Sequence, residues 1–251
     1  LAGADGQSYS LSASLDAVTG EVHVDGLASD VQLDSAEAGD TLELTGGDRD
    51  DSLTASGDLS GVITVELRGA GGDDVLTGGD DLEGGAGADL MEQAFVGATV
   101  EGGDGEDTIV AGSGNITVDG GADSDTIVVR GTSSSDVIDV AQTAADTLRH
   151  AVGGVIDGAG VTTETDTISN VESVRVEGGA WHDTIRVTQE DLLKSFLLGR
   201  NNNRVSLVRG CRNLHVWFAW DHGLRLGEYM NAKERQDSKH LAKEANGVGL
   251  L

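Results

Sequence analysis

Asp89, Asp107 and Asp125 recur at an interval of 18 residues, each after a glycine-rich turn and before a short β-forming stretch. A carboxylate returned to the same place in successive repeats is a ligand for a hard cation, which takes oxygen donors. Stacked one strand spacing apart, roughly 4.8 Å, such carboxylates repel one another unless a cation sits between them. The glycines permit turns with positive φ that aim backbone carbonyls at the same space. Carboxylate and carbonyl oxygens at about 2.3–2.6 Å suit calcium.

The elements that position these residues are legible as a repeat. From residue 84 the chain parses without a gap into GGAGADLME (84–92), QAFVGATVE (93–101), GGDGEDTIV (102–110), AGSGNITVD (111–119) and GGADSDTIV (120–128). The eighth position is Met91, Val100, Ile109, Val118 and Ile127, always apolar, and the seventh is Leu90, Thr99, Thr108, Thr117 and Thr126. An apolar column beside a threonine column is the pattern of short strands with one buried face. Strands of three residues hold only by stacking on neighbours, so the pattern predicts a solenoid in which two nonapeptides make one coil. The alternate repeats carry Ala98 and Ile116 where their neighbours carry Asp, which places the cation chemistry mainly on one edge.

The phrase recurs less regularly. GGDRDDSLT (46–54) brings Asp51 to the sixth position, GAGGDDVLT (69–77) brings Asp74, and GGDDLE (78–83) is a nonapeptide shortened by three. GTSSSDVID (131–139) keeps Asp136 and GGAWHDTIR (178–186) keeps Asp183. Asp40, in DSAEAGDTLEL, also falls at a sixth position. Arg49, Asp123, Ser134 and Trp181 stand where a turn glycine is expected; a Cβ at positive φ is costly, least so for Asp. The order of expected ligands is Asp107 and Asp89, then Asp74 and Asp125, then Asp51, with Asp136 and Asp183 weaker.

GGDGEDTIV and GGAGADLME resemble the nonapeptide G-G-x-G-x-D-x-U-x of the haemolysin-type, or RTX, calcium-binding repeat family. The resemblance covers about 46–140. It implies a parallel β-roll whose six-residue turns bind Ca2+ between layers and whose x-U-x segments are the strands. It further implies ligands from the Asp side chains and from turn carbonyls at odd positions, here Gly102, Asp104 and Glu106, and Gly84 and Ala86 in the preceding turn. Residues 141–189 resemble the linking strands of large bacterial surface proteins that carry such repeats.

Charge divides the chain. Residues 1–189 hold 37 acidic and six basic residues, net −31, whereas 190–251 hold seven and ten, net +3, giving −28 overall. So acidic a surface repels phosphate, which argues against nucleic acid and anionic membranes as partners and for cations. No run of 18 apolar residues offers a membrane-spanning segment, and the single Cys211 excludes an internal disulfide. The chain starts at Leu1 without a signal-peptide pattern and is read as a fragment or mature segment of a longer chain, with neighbouring repeats or domains as further partners.

The sequence offers no catalytic motif. His23, His150, His182, His215, His222 and His240 include no H-E-x-x-H spacing, and no G-x-S-x-G elbow is present. His215, Asp221 and His222 cluster in HVWFAWDHG, which reads as a strand with a polar end. The expected organisation is all-β: strands over 1–45 (YSLSASL, EVHVDGL, TLELTGG) continuous with the solenoid, a calcium-binding β-roll over 46–140, further strands over 141–189, and a basic tail over 190–251. The tail has helical spacing in EDLLKSFLL (190–198) and helix-forming composition over 227–245; it is either a cap on the open end of the solenoid or a non-native extension. The function expected is calcium binding coupled to folding in a secreted or cell-surface, extracellular protein. The alternative is an accessory module of a secreted hydrolase, polysaccharide-modifying enzyme or toxin whose catalytic domain lies elsewhere.

Overall fold

The computed structural model describes residues 8–27, 31–112, 114–178 and 183–189, with strands at 196–198, 204–208, 216–220 and 223–227; side chains are described as far as Arg186. The chain divides into two compact units, residues 1–128 with 166–171, and residues 129–165 with 172–251.

The first unit opens with β1 (Ser10–Leu15), β2 (Val22–Asp25), β3 (Val31–Leu33), β4 (Thr41–Gly47), β5 (Ser52–Ala55), β6 (Thr64–Gly71) and β7 (Val75–Thr77). It continues through β8 (Asp81–Ala86), β9 (Leu90–Glu92), β10 (Thr99–Asp104), β11 (Thr108–Ala111), β12 (Thr117–Ala122) and β13 (Thr126–Arg130). From β4 to β13 successive strands alternate between two sheets. Each strand pairs in parallel with the next but one: β4 with β6, β8, β10 and β12 in turn, and β5 with β7, β9 and β11. A chain that alternates sheets while stacking in parallel coils, so this unit is a β-solenoid of short strands. β16 (Glu164–Ser169) adds the next rung, with Thr167–Ser169 against Thr117–Asp119. At the other end the antiparallel series β1, β2, β3 finishes one sheet.

The register explains the apolar column of the sequence. Leu44, Leu67, Leu82, Val100, Val118 and Ile168 stand opposite one another in one sheet, and Leu11, Leu53, Leu76, Met91 and Ile109 in the other. Each is 2% exposed or less. Burying one such side chain contributes about 1.5–3 kcal/mol relative to leaving it in water, which offsets the weak pairing of three-residue strands. Aliphatic side chains from both sheets fill most of the interior between them. Outward residues are polar: Thr99 and Thr117 are exposed, and Arg68 reaches Glu66 at 3.1 Å and Glu43 at 3.9 Å and also pairs with Glu83.

The second unit holds β14 (Val137–Ala144), β15 (Thr147–Val152), β17 (Ser173–Glu177), β18 (Thr184–Gln189), β19 (Phe196–Leu198), β20 (Arg204–Val208), β21 (Val216–Trp220) and β22 (Gly223–Gly227). β14 pairs antiparallel with β15 and parallel with β18, which pairs with β20; β17, β19 and β21 run parallel, and β22 closes antiparallel on β21. Residues 141–189 thus hold the end of β14 and the strands β15 to β18. The helix expected over 190–198 is corrected where it is described: Phe196–Leu198 is a strand, in register with Val174–Val176. A short apolar run serves either structure, and an available strand edge decides it. Residues 190–195 and the candidate helix beyond Gly227 lie outside the described residues. No helix among the described residues is long and apolar enough to cross a membrane.

Candidate metal centre

In the first unit the turns between the two sheets stack along one edge, and the sixth-position aspartates form a column. Asp51 N–H donates to Asp74 Oδ1 at 2.6 Å, Asp74 N–H to Asp89 Oδ1 at 2.7 Å, Asp89 N–H to Asp107 Oδ1 at 2.8 Å and Asp107 N–H to Asp125 Oδ1 at 2.9 Å. Tyr9 N–H donates to Asp51 Oδ1 and begins the column. The Asp carbonyls complete the link: Asp51, Asp74, Asp89 and Asp107 accept from Val75, Leu90, Thr108 and Thr126 N–H at 2.8–2.9 Å. Every layer is therefore tied to the next by two hydrogen bonds through its aspartate. The 18-residue spacing, and the 15-residue spacing after the shortened segment 78–83, both deliver Asp to the same place, as predicted.

The second carboxylate oxygen has a different setting. Oδ2 of Asp51, Asp74, Asp89 and Asp107 is buried and meets no N–H or O–H donor, and these residues are 3% exposed or less. Each Oδ2 faces the first glycine of its own turn. A Cβ built on Gly46, Gly69, Gly84 or Gly102 would stand 2.2–2.4 Å from that oxygen, and 2.2–2.8 Å from the carbonyl oxygen of the first glycine in the following layer. At Gly84 the two oxygens are Asp89 Oδ2 at 2.4 Å and Gly102 O at 2.6 Å. The first glycine is needed for this space rather than for its φ. The second and fourth positions are the ones with positive φ: Gly85, Gly103 and Gly121 at 104–114°, Gly87 and Gly105 at 133–139°, with Ala70 at 82° and Asp123 at 76° accepting the strain.

The electrostatics follow from burial. Desolvation pushes the Asp74 carboxyl up to about 7, against the Asp51 N–H bond that favours its ionised form, and the nearby Asp89, Asp51 and Asp50 charges add to the rise. Desolvation likewise pushes Asp107 up to about 6 and raises Asp89. Burial therefore favours the neutral form of these carboxyls, and a cation at Oδ2 would offset the same cost of carrying charge there.

The other expected ligands divide. Gly84 O borders the Cβ position of Gly69 that Asp74 Oδ2 also borders, and Gly102 O that of Gly84 with Asp89 Oδ2. Ala86 O and Asp104 O already accept N–H from Gly72 and Gly87 of the preceding layer, at 2.9 and 2.8 Å. The Asp104 and Glu106 side chains are exposed. Asp125 is fully buried at the end of the column, with Oδ2 2.6 Å from a Cβ on Gly120. No group of three or more His, Cys, Asp or Glu converges among the described residues. The donor set is accordingly one carboxylate per layer with backbone carbonyls, and it fits a hard cation of the calcium kind.

Sequence reasoning missed part of the opposite edge. Asp166 is fully buried there and accepts Ile116 N–H at 3.1 Å, as the sixth-position Asp does on the first edge. Asp80 accepts Val65 N–H at 2.9 Å. The tripeptide Asp166-Thr167-Ile168, the same D-T-I as at 107–109 and 125–127, was the available signal. Asp40 also belongs to this edge, since Thr64 N–H donates to its carbonyl at 2.9 Å, as Thr99 N–H does to Asp80 at 3.0 Å. In the second unit Asp136 N–H donates to Asp183 Oδ1 at 2.9 Å, so the two weaker candidates repeat the link between layers. No family model matches the chain, and no curated protein matches it in sequence.

Proposed function

We propose that the first unit binds calcium along its aspartate column, as its resemblance to haemolysin-type repeats implies, and that binding drives its folding. The observation that carries this reading is the buried, donorless Oδ2 of Asp51, Asp74, Asp89 and Asp107, one to a layer. Asp51, Asp74, Asp89 and Asp107 would hold the ions with carbonyls of the first glycines of adjoining turns. Bound calcium supplies positive charge between stacked carboxylates, and its binding energy becomes folding energy. A site with one carboxylate per layer belongs with weak extracellular affinities, on the order of 10⁻⁴–10⁻³ M. This suits a secreted or cell-surface protein that is marginally stable where calcium is scarce and firmly folded where it is plentiful.

Circular dichroism of the whole chain during a calcium titration tests the reading. Strand signal is expected to rise with a midpoint in that range, and Asp107→Ala is expected to shift the midpoint upward more than Asp183→Ala. Identical spectra in chelator and in calcium at about tenfold above that range would end the proposal.

A further inference from the structure

The aspartate of the turn 131–136 is satisfied differently from those of the first unit. Asp136 Oδ2 accepts Thr132 N–H at 2.6 Å and Thr132 Oγ1 at 3.0 Å, and Oδ1 lies 3.1 Å from the same hydroxyl. Ser134 N–H donates to Thr132 Oγ1 at 3.1 Å, so the hydroxyl is oriented as well as close. The carboxylate has also moved: Oδ2 is 3.0 Å from the Cβ position of Gly131, against 2.2–2.4 Å for the equivalent contact at Gly46, Gly69, Gly84 and Gly102. The cause is the second turn residue. In the layers of 46–51, 69–74, 84–89 and 102–107 it is Gly47, Ala70, Gly85 or Gly103, none with a polar side chain, and at positive φ in all but the first. Thr132 does not adopt positive φ, which a β-branched residue tolerates poorly. Its amide and its hydroxyl instead turn onto the carboxylate.

We propose that 131–136 is a cation-independent version of the same turn, in which Thr132 gives Asp136 the donors that a cation would replace. Thr132 thereby keeps Asp136 from taking calcium. The consequence rests on the calcium reading of the first unit, but the hydrogen-bonding claim does not.

Isothermal titration of the whole chain with calcium chloride, joined to thermal unfolding in calcium-free buffer, tests both. Asp136→Asn is expected to leave the number of calcium ions bound unchanged, whereas Asp107→Asn lowers it. Thr132→Gly, which removes the hydroxyl and allows positive φ, is expected to add one ion. In calcium-free buffer Thr132→Val is expected to lower the unfolding midpoint by roughly 2–4 °C, and Thr132→Ser, which keeps the hydroxyl, to hold it near the parent value. A drop in calcium stoichiometry with Asp136→Asn, or equal midpoints for the Val and Ser variants, would overturn the assignment. If the parent chain takes up no calcium, the reading of the first unit fails, and the Val and Ser comparison alone still decides the role of Thr132.

Discussion

The space beside the Gly84 Cα is bounded by Asp89 Oδ2 and Gly102 O, and only a hydrogen fits it. Gly84→Ala is expected to destabilise the first unit by about 1–3 kcal/mol through overpacking against two oxygens that cannot both retreat. Gly39→Ala, where nothing lies within 4 Å of the new methyl, should stay within about 0.5 kcal/mol of the parent. Denaturant unfolding of both variants checks this, and equal effects would show the close approach to be unimportant. The same oxygens set a pH dependence. Asp74 and Asp107 titrate near about 7 and about 6 in the fold, but near about 4 when unfolded. The folded chain therefore holds protons that the unfolded chain has lost. Their contribution to stability is full below about pH 4 and vanishes as pH rises through the two folded values. In calcium-free buffer the melting temperature is expected to fall between about pH 5 and about pH 8. Asp74→Asn, which keeps an oxygen for Asp51 N–H and removes the charge, should flatten that slope and be the more stable protein at the upper end. A parent melting temperature that rises over this interval would contradict the burial of these carboxylates.

At the scale of the element, a layer is a strand in each sheet and the two turns that join them, and its sequence signal is strongest where all four parts are local. The nonapeptides of 84–128 are local, and their column of Met91, Val100, Ile109, Val118 and Ile127 is buried as the spacing predicts. β16 belongs to the same stack but arrives after an intervening segment of the other unit, so its Asp166 stands outside the uninterrupted repeat. Its role is nonetheless that of a layer link, since Ile116 N–H has Asp166 Oδ1 as its acceptor. Asp166→Ala leaves that buried amide unmatched and is expected to cost about 1–3 kcal/mol. Hydrogen exchange at Ile116 is the direct measurement, and protection as strong in the variant as in the parent would rule the link out. The strand at Phe196–Leu198 makes the opposite point. Its local pattern suits a helix, and the exposed edge offered by Val174–Val176 makes it a strand, because pairing supplies hydrogen bonds that a single isolated helical turn does not.

For the whole molecule, the net charge of −28 has two separable effects. Spread over the surface it opposes compaction, and any salt relieves this by screening. Buried in the column it is screened poorly, and a cation in inner-shell contact would offset it directly. Calcium chloride is therefore expected to raise the melting temperature well above sodium chloride of matched ionic strength, and Asp89→Asn should narrow the difference while leaving the sodium effect intact. Equal stabilisation by the two salts would reduce the column to general electrostatics. The resemblance to haemolysin-type repeats, the column of Asp51, Asp74, Asp89, Asp107 and Asp125, and the all-β coil could be read without coordinates, because a period repeated many times projects equivalent residues onto one edge whatever the details of the turns. What distinguishes the aspartates from one another could not. That Asp136 is held by Thr132, that Asp166 joins the opposite edge, and that each first glycine faces a carboxylate rather than a strained φ all depend on where backbone amides and carbonyls fall between layers. The sequence by itself determined the period, the buried face and the acidic edge, since these follow from side-chain type and spacing. Only the tertiary structure decided which oxygens have partners, because partnership across a layer is set by the register of chain segments distant in sequence.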